Sequence, residues 1–330
     1  MGNLVKDLFQ AQFLSQREVL GEALLDEAKK NPRVIALTAD VGDSTRLLKL
    51  REELPNQYFD FGVSEQAMIG AAAGFSMLGF IPFGALFGSF EAGRAYDHIR
   101  VSIGINKANV VLIGSHVGLS NPGDGATAQS LTDISLMKSI PGMTIVTPAD
   151  ANELRKTIKE AVKFTGPLYI RVLRDATAVF TTEEASFSFG KAEVLREGKD
   201  VSIIANGPIV YNALCAAQNL ANENIECEVI DCHTVKPLDE MTILSSAQKT
   251  KGVVTLEEHT LYGGFGESVS RVLSKNLPVV TEHLGINDEN GQSARKYEEL
   301  IHYYRIGAEE IERAVITVLE QKRIFNNKLL

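Results

Sequence analysis

A carboxylate at a predicted helix start, that of Glu65, is the most chemically suggestive group in the stretch FDFGVSEQAMIGAAAGF, residues 59–75. This stretch is typical of a short strand, a tight turn and a helix of small apolar residues, with the carboxylate where the helix begins. Backbone amides at a helix N-terminus favour negative charge, so an acid there is ordinary by itself. The alanines and glycines at positions 70–74 predict a helix that packs close to another backbone.

Two aromatic residues, a histidine and an aspartate follow Glu65 along the chain. Phe87 and Phe90 are spaced i, i+3 in FGALFGSFEAGR, so they share one face if the segment is helical. His116 ends the strand-like run NVVLIGSH, which leads into the glycine-rich loop VGLSNPGDGATAQ with Asp124. Ligands of open α/β sheets bind at the carboxyl ends of the strands. We therefore expect these five side chains to converge on one edge of a sheet.

The composition is that of a globular protein and excludes several classes of function. The chain has 330 residues, of which 45% are hydrophobic and 23% charged, which is enough for about two domains. A net charge of −9 without a basic stripe argues against nucleic-acid binding. We find neither a signal peptide nor an apolar run of the roughly 18 residues that a membrane span needs. The three cysteines lack CxxC spacing, which predicts a reducing, cytoplasmic location; they are Cys215, Cys227 and Cys232.

Apolar runs that alternate with helical patterns predict buried parallel strands in the first 175 residues. The predicted strands are RVIALTA, FIPFGALF, NVVLIGSH, MTIVTP and LYIRVL, and the predicted helices are 16–30, 64–78, 88–104, 128–139 and 150–164.

A polar, irregular stretch at residues 175–199 separates this series from a second one. The second series has the strands DVSIIANG, ECEVIDC, GVVTLEE and LPVVTEH, the helices 208–222, 238–247, 264–275, 294–304 and 307–322, and a loose tail, RIFNNKLL. The sequence therefore predicts an α/β protein of two doubly wound domains, residues 1–185 and a smaller domain at 186–330.

These residues resemble the C-terminal half of the transketolase family, in which a pyrimidine-binding domain precedes the transketolase C-terminal domain. The layout is also similar to the β subunits of 2-oxo acid dehydrogenase E1 components and to deoxyxylulose phosphate synthase. The resemblance spans about residues 12–325 and is most specific at 59–130, while LEEHTLYGGFGES supports the second domain. The family's diphosphate-binding half does not precede this segment, so we expect one subunit of a split transketolase.

The resemblance implies thiamine diphosphate as the cofactor. In this family a carboxyl group at the pyrimidine nitrogen N1′ promotes the imino tautomer that activates the thiazolium carbon, and Glu65 matches that acid. Phe90 matches the aromatic ring that stacks on the pyrimidine, and Phe87 matches its neighbour. An N-terminal partner subunit would bind the diphosphate and Mg²⁺ in an α2β2 assembly.

The resemblance also implies a substrate site for phosphorylated sugars. Arg17, Ser44, His116 and Arg174 match the family's sugar-phosphate contacts, and such donors suit a phosphate dianion. Asp124 matches the residue that contacts a hydroxyl group of the donor sugar. Each residue also has an ordinary alternative: a surface ion pair for the arginines, a turn for Ser44 and a core hydrogen bond for His116.

One position departs from the family pattern. The family's loop reads GEDG-x-THQ, whereas this chain reads PGDGATAQ, so Ala128 replaces a histidine that contacts the bound sugar. We therefore expect a modified sugar, deoxy or branched, as the substrate. The same loop, followed by Asn152, has the spacing of the family's metal motif. Because Asn152 lies at the predicted helix start PADANEL, we assign no metal ligand to this chain.

Three functions remain open from the sequence. The leading prediction is the C-terminal subunit of a two-chain transketolase that transfers a ketol unit between phosphorylated sugars. The first alternative is the β subunit of a 2-oxo acid dehydrogenase E1 component, against which the set of phosphate donors argues. The second is a non-catalytic structural partner, against which Glu65 and Phe90 argue.

Overall fold

The computed structural model describes residues 3–328, which form two largely parallel sheets flanked by helices and a third, two-stranded antiparallel sheet made of Gln12–Ser15 and Ala176–Val179. The strands are β1 (Gln12–Ser15), β2 (Val34–Thr38), β3 (Tyr58–Asp60), β4 (Ile81–Phe87), β5 (Val111–Ser115), β6 (Thr144–Val146), β7 (Leu168–Val172), β8 (Ala176–Val179), β9 (Glu193–Arg196), β10 (Val201–Ala205), β11 (Cys227–Asp231), β12 (Thr234–Lys236), β13 (Gly252–Thr260) and β14 (Val280–Ile286). The α-helices are α1 (Gln16–Lys30), α2 (Leu48–Glu53), α3 (Glu65–Met77), α4 (Tyr96–His98), α5 (Asp133–Lys138), α6 (Ala151–Ala161), α7 (Val210–Ala221), α8 (Glu240–Thr250), α9 (Phe265–Asn276), α10 (Tyr297–Tyr303) and α11 (Ala308–Lys328). No helix in this described part of the chain is both long and apolar enough to cross a bilayer.

The larger sheet has seven strands in the order β12-β6-β7-β5-β4-β2-β3. All neighbours in it are parallel except β12, which pairs antiparallel with β6. Every residue of β2, β5 and β7 is buried, because helices cover both faces of this sheet. The five strands predicted for the first half of the chain are confirmed.

The smaller sheet has five strands in the order β14-β13-β10-β11-β9. Its first four strands are parallel, and β9 runs antiparallel at the edge. The α/β fold class with two doubly wound units is therefore confirmed. Strand β9 is not predicted from the sequence, because it is a short and partly exposed edge strand whose pattern carries little signal.

Several elements differ from the prediction. The helix expected at 88–104 contains two π-helical stretches, Phe90–Arg94 and Ile99–Ile105, on either side of α4. The helix expected at 128–139 begins only at Asp133, because the loop before it includes a 3₁₀ turn. The prediction of a loose C-terminal tail is wrong as far as Lys328, where α11 ends, and residues 329–330 lie outside the described residues.

The larger sheet brings the candidate site residues to one edge. Strands β4, β5 and β7 are parallel neighbours, so their carboxyl ends lie side by side. Phe87 is the last residue of β4, His116 follows β5 and Arg174 follows β7. The start of α1 reaches the same edge, because Ser15 Oγ donates to the backbone carbonyl of Arg174 at 2.7 Å. This edge is where open α/β sheets bind ligands.

Candidate functional site

Glu65 is the first residue of α3 and lies almost buried behind the turn that follows β3. Its Oε1 accepts a hydrogen bond from Arg94 Nη1 at 2.6 Å. Arg94 is the last residue of the π-helical stretch Phe90–Arg94, and its side chain is 51% exposed. The acid is therefore fixed at a helix N-terminus by one half-exposed cationic partner.

Three rings form a stacked row beside this ion pair. The ring centres of Phe87 and Phe90 are 5.6 Å apart and nearly parallel, at 18°. Phe87 also stacks on His116, with ring centres 3.9 Å apart. The guanidinium carbon of Arg94 lies 4.3 Å from the centre of the Phe90 ring, within the range of a cation–π contact. Arg94 therefore connects Glu65 to the row of rings that ends at His116.

His116 is held in an unusual backbone conformation at the end of β5. Its φ of 57° is left-handed, a region that is uncommon for residues other than glycine, although histidine enters it more readily than most. The Ser115 hydroxyl lies 2.8 Å from its Nδ1. Burial, together with the charges of Arg17 and Arg174, lowers the pKa of His116 to about 3. The imidazole is therefore neutral at physiological pH and can donate one N–H.

A cluster of arginines surrounds His116. Arg17 Nη1 donates to the backbone carbonyl of Ser44 at 3.2 Å, whereas its buried Nε has no hydrogen-bond partner among residues 3–328. Burial and the nearby charges of Arg46 and Arg174 lower the pKa of Arg17. Because like charges so close together destabilise each other, this cluster favours a bound anion.

The loop that carries Asp124 is tied to this cluster. Arg174 Nη1 donates to Asn121 Oδ1 at 3.0 Å, and Asn121 Nδ2 donates to Asp124 Oδ2 at 2.8 Å. The next residue, Gly125, has a φ of 70°, and a Cβ there would meet Ser293 at 2.3 Å. A glycine is therefore required at this turn beside the aspartate.

Residues of the second half of the chain support the same loop, which the sequence analysis missed. Gln129 Nε2 donates to the carbonyl of Gln292 at 2.9 Å, and the amide of Ala294 donates to the carbonyl of Pro122 at 3.0 Å. These contacts join residues far apart in sequence, which no local pattern reveals. The buried Ala128 is fixed within this loop, because its carbonyl accepts from Ser89 Oγ at 3.0 Å.

The structure thus brings together all the residues singled out in the sequence. Hydrogen bonds and electrostatic interactions connect five of them around His116, namely Arg17, Ser44, His116, Asp124 and Arg174. The other three, Glu65, Phe87 and Phe90, lie along the row of rings that ends at His116. Arg46, Asn121 and Arg94 were missed, although Arg94 follows Phe90 at the i, i+4 spacing that brings helical side chains together. Asn152 lies in α6 and donates to the carbonyl of Thr181 at 2.7 Å, which agrees with its assignment to a helix start.

The chain belongs to the transketolase family. Residues 13–178 match the family domain described as "Transketolase, pyrimidine binding domain", and residues 190–311 match "Transketolase, C-terminal domain". The resemblance inferred from the sequence is therefore confirmed. Membership of this family implies dependence on thiamine diphosphate, and a nearly buried acid beside stacked rings fits the pyrimidine half of that cofactor.

Two of the similar proteins are named as transketolase subunits. The chain is 38% identical over 306 residues to the 6-deoxy-6-sulfo-D-fructose transketolase subunit SqwH of Clostridium sp. (strain MSTE9), covering 93% of this chain and 95% of that protein. It is 35% identical over 288 residues to one of the subunits of the apulose-4-phosphate transketolase of Phocaeicola vulgatus, covering 87% of this chain and 92% of that protein.

A solved structure described as "Split gene transketolase, inactive beta4 tetramer" matches with a TM-score of 0.85 and 36% identity, covering 94% of this chain and 99% of that one. The prediction of a transketolase-type transferase, built as the C-terminal subunit of a split enzyme, is confirmed by these similarities. They favour it over the 2-oxo acid dehydrogenase subunit and over a non-catalytic partner.

Proposed function

We propose that this chain binds the pyrimidine ring of thiamine diphosphate and a ketose with an anionic end, and that it transfers a ketol unit from this sugar to an aldose. The row of contacts from Glu65 through Arg94, Phe90 and Phe87 to His116 carries the proposal. It runs from a nearly buried acid to an arginine cluster along a single sheet edge. Such a site suits a cofactor ring at one end and a charged sugar terminus at the other.

We assign the acid and the rings to the cofactor. When bound, thiamine diphosphate supplies the activated thiazolium carbon that carries the two-carbon unit. Glu65 holds a proton at the pyrimidine nitrogen N1′, since its carboxyl group lies at the protected end of the row. The ring of Phe90 stacks on the pyrimidine and Phe87 supports it, which contributes about 1 kcal/mol beyond burial.

We assign the arginine cluster around His116 to the substrate's terminal anion. Arg17, Ser44, His116 and Arg174 bind it, and Asp124 accepts from a hydroxyl group of the sugar. The unpartnered Nε of Arg17 supports this assignment, because it is a buried donor that a bound anion would satisfy. The neutral His116 can add an N–H donor without adding to the repulsion among the arginines.

We further propose that the sugar is modified, with either a phosphate or a sulfonate at its terminus. The two relatives described above are named for a sulfonated deoxysugar and for a phosphorylated branched sugar. Ala128 supports this proposal, because a methyl group leaves room beside the reacting carbons and donates no hydrogen bond there. Guanidinium groups bind both kinds of anion through paired N–H donors.

We propose a diphosphate-binding partner subunit that holds Mg²⁺, in an α2β2 assembly. Large apolar side chains that are exposed near both ends of α3 support a partner contact in this region, and they are Val63, Met77, Leu78 and Ile105. The close packing expected of α3 is absent at Gly70 and Gly74 within the described chain, since an added Cβ would meet open space at both.

We retain 1–185 and 186–330 as the domains, and the free buried cysteines support a cytoplasmic location.

Titration calorimetry with thiamine diphosphate and Mg²⁺, with and without the partner subunit, tests this proposal. We expect submicromolar cofactor binding and ketol transfer only for the complex. Submicromolar binding or turnover by the isolated chain would refute the partner requirement. A complex that binds no cofactor would refute the function itself.

A further inference from the structure

The guanidinium group of Arg94 makes two contacts that the proposed cofactor also needs. Its Nη1 donates to Glu65 Oε1 at 2.6 Å, and its Cζ lies 4.3 Å from the centre of the Phe90 ring. These are the carboxyl group and the aromatic ring to which we assign the pyrimidine. The guanidinium group of Arg94 therefore occupies both contacts that we assign to the pyrimidine ring, and it would compete with that ring for them.

The shape of a guanidinium group explains how it can stand in for an aminopyrimidine. Both are planar, carry N–H donors at their edge and stack on aromatic faces. Their effects on Glu65 differ, however. The guanidinium holds the carboxylate as a charged acceptor, whereas promotion of the imino tautomer needs the carboxyl group as a proton donor to N1′. The ion pair must therefore open before Glu65 can act in the proposed role.

The surroundings allow Arg94 to move while its neighbours stay. Its side chain is 51% exposed, whereas that of Glu65 is only 9% exposed. The backbone carbonyl of Arg94 accepts from Gln66 Nε2 at 3.2 Å, which anchors the main chain to α3. Phe87 is held between two ring contacts, to Phe90 and to His116. The Arg94 side chain is therefore the member of the row that is free to swing away.

We infer that Arg94 is a resident substitute for the pyrimidine ring, which holds Glu65 and covers Phe90 until the cofactor displaces it. This inference rests on the proposed function. It has two consequences, one for the affinity for the cofactor and one for the stability of the cofactor-free chain. Removing the guanidinium should tighten cofactor binding, because nothing has to be displaced. It should also destabilise the cofactor-free chain, because Glu65 then lies nearly buried without its partner.

Two variants and one matched control test this inference in the complex with the partner subunit. Arg94→Ala removes the group, and Arg94→Lys keeps the charge but loses the planar shape. Arg100→Ala is the control, because Arg100 belongs to the same helical region and pairs with the exposed Asp97 at 2.6 Å. Calorimetry with thiamine diphosphate and Mg²⁺ gives the dissociation constant, and thermal unfolding gives the stability of the cofactor-free chain.

We expect Arg94→Ala to lower the cofactor's dissociation constant by about 3–10-fold, as the loss of one exposed ion pair and one cation–π contact allows. Arg94→Ala should also lower the melting temperature of the cofactor-free chain. For both quantities, Arg94→Lys should give values between those of wild type and Arg94→Ala, and Arg100→Ala should give the wild-type values. An unchanged or weaker affinity in Arg94→Ala would overturn the inference, since the guanidinium would then not occupy the ring's place. If wild type, both Arg94 variants and the control all fail to bind the cofactor, the proposed function fails and the inference with it.

Discussion

The guanidinium group of Arg171 donates to both carboxylate oxygens of Asp133, at 2.7 and 3.1 Å, although both side chains are buried. Tyr169 adds a third hydrogen bond to the same carboxylate at 2.9 Å. Burial alone would raise the pKa of Asp133, but the charge of Arg171 and these hydrogen bonds lower it. Arg171 Nη2 also donates to the carbonyl of Glu258 at 3.3 Å, so this ion pair joins the two halves of the chain.

Breaking this pair should destabilise the fold strongly. Arg171→Met leaves the carboxylate of Asp133 buried without its cation, which typically costs about 3–5 kcal/mol of unfolding free energy. Tyr169→Phe removes one hydrogen bond to a charged group and should cost about 1.5–3 kcal/mol. Urea unfolding at neutral pH measures both changes. A loss below about 1 kcal/mol in Arg171→Met would contradict a charged Asp133.

The pH dependence provides a second check on the same pair. Because folding lowers the pKa of Asp133, its contribution to stability is present above the unfolded value of about 4 and is lost as the pH falls through the folded value. The difference in stability between wild type and Arg171→Met should therefore shrink below pH ~4. Asp133→Asn with Arg171→Met serves as the control, since it carries no buried charge at either pH.

In a second group of buried side chains, the pKa values of two acids are shifted upwards instead of downwards. Asp231 ends β11 in a fully buried position, and neither of its carboxyl oxygens accepts from an N–H donor among residues 3–328. Glu153 of α6 is close enough for its charge to act on Asp231. Burial, followed by the repulsion from Glu153, raises the pKa of Asp231. The pKa of Glu153 is raised as well, mainly by burial.

Acids with raised pKa values stabilise the fold only while they are protonated. The contribution of this pair is complete below the unfolded values of about 4 and is lost as the pH rises through the folded values. We therefore expect Asp231→Asn to increase the urea midpoint at pH ~8 and to change it little at pH ~4. Asp150→Asn is the comparison, because the carboxylate of Asp150 accepts hydrogen bonds from the backbone amides of Phe180 and Thr181. This substitution should lower the urea midpoint at the higher pH. Equal midpoints for wild type and Asp231→Asn at the higher pH would refute the raised pKa of Asp231.

The sequence predicted those parts of the fold that repeat with a clear period. Buried strands such as β5 and the amphipathic α6 carry their signal within a few residues. Strand β12 could not be predicted, because it joins the larger sheet from the second half of the chain and its pairing depends on tertiary contacts. The π-helical turn at Phe90 was missed for a similar reason, since local patterns do not distinguish it from an α-helix.

In the candidate site, too, the residues with a local sequence signal were predicted and those that depend on tertiary contacts were not. Glu65, His116 and Arg174 were found because each lies at the end or start of a predictable element. Arg94 was missed because its importance depends on a contact with Glu65 across 29 positions of sequence. The support of the substrate loop by Gln292 was missed because it comes from the other half of the chain.

The proposed acid can be tested by a change that preserves its size. Glu65→Gln keeps a hydrogen-bonding group at the start of α3 but cannot give a proton to the pyrimidine nitrogen. We expect turnover of the assembled enzyme to fall by about 10²–10⁴-fold, the usual value of one acid–base group. Steady-state rates at saturating cofactor measure this loss, and thermal unfolding should show a much smaller change.

An exposed acid gives the matched control for this experiment. Glu160→Gln alters a glutamate of α6 that pairs with Lys163 at 2.7 Å on the surface, far along the chain from the site. It should leave turnover unchanged. If Glu65→Gln also turns over near the wild-type rate, Glu65 is only the first residue of a helix.

The last prediction concerns Ala128, where the family has a histidine that contacts the bound sugar. The buried backbone of Ala128 is fixed by its amide, which donates to Gly125 O at 3.1 Å, and by its carbonyl, which accepts from Ser89 Oγ. Loss of one such donor typically costs about 10²–10³-fold in rate for the substrate that uses it. We therefore expect the wild-type complex to use xylulose 5-phosphate poorly and Ala128→His to raise its kcat/KM, while kcat/KM for a deoxysulfo or branched sugar falls. Ala126→His, an exposed position of the same turn, is the control for adding an imidazole to the loop. If the wild type already reaches about 10⁴ M⁻¹s⁻¹ or more with xylulose 5-phosphate, and the histidine adds nothing, then the alanine is neutral and the substrate need not be a modified sugar.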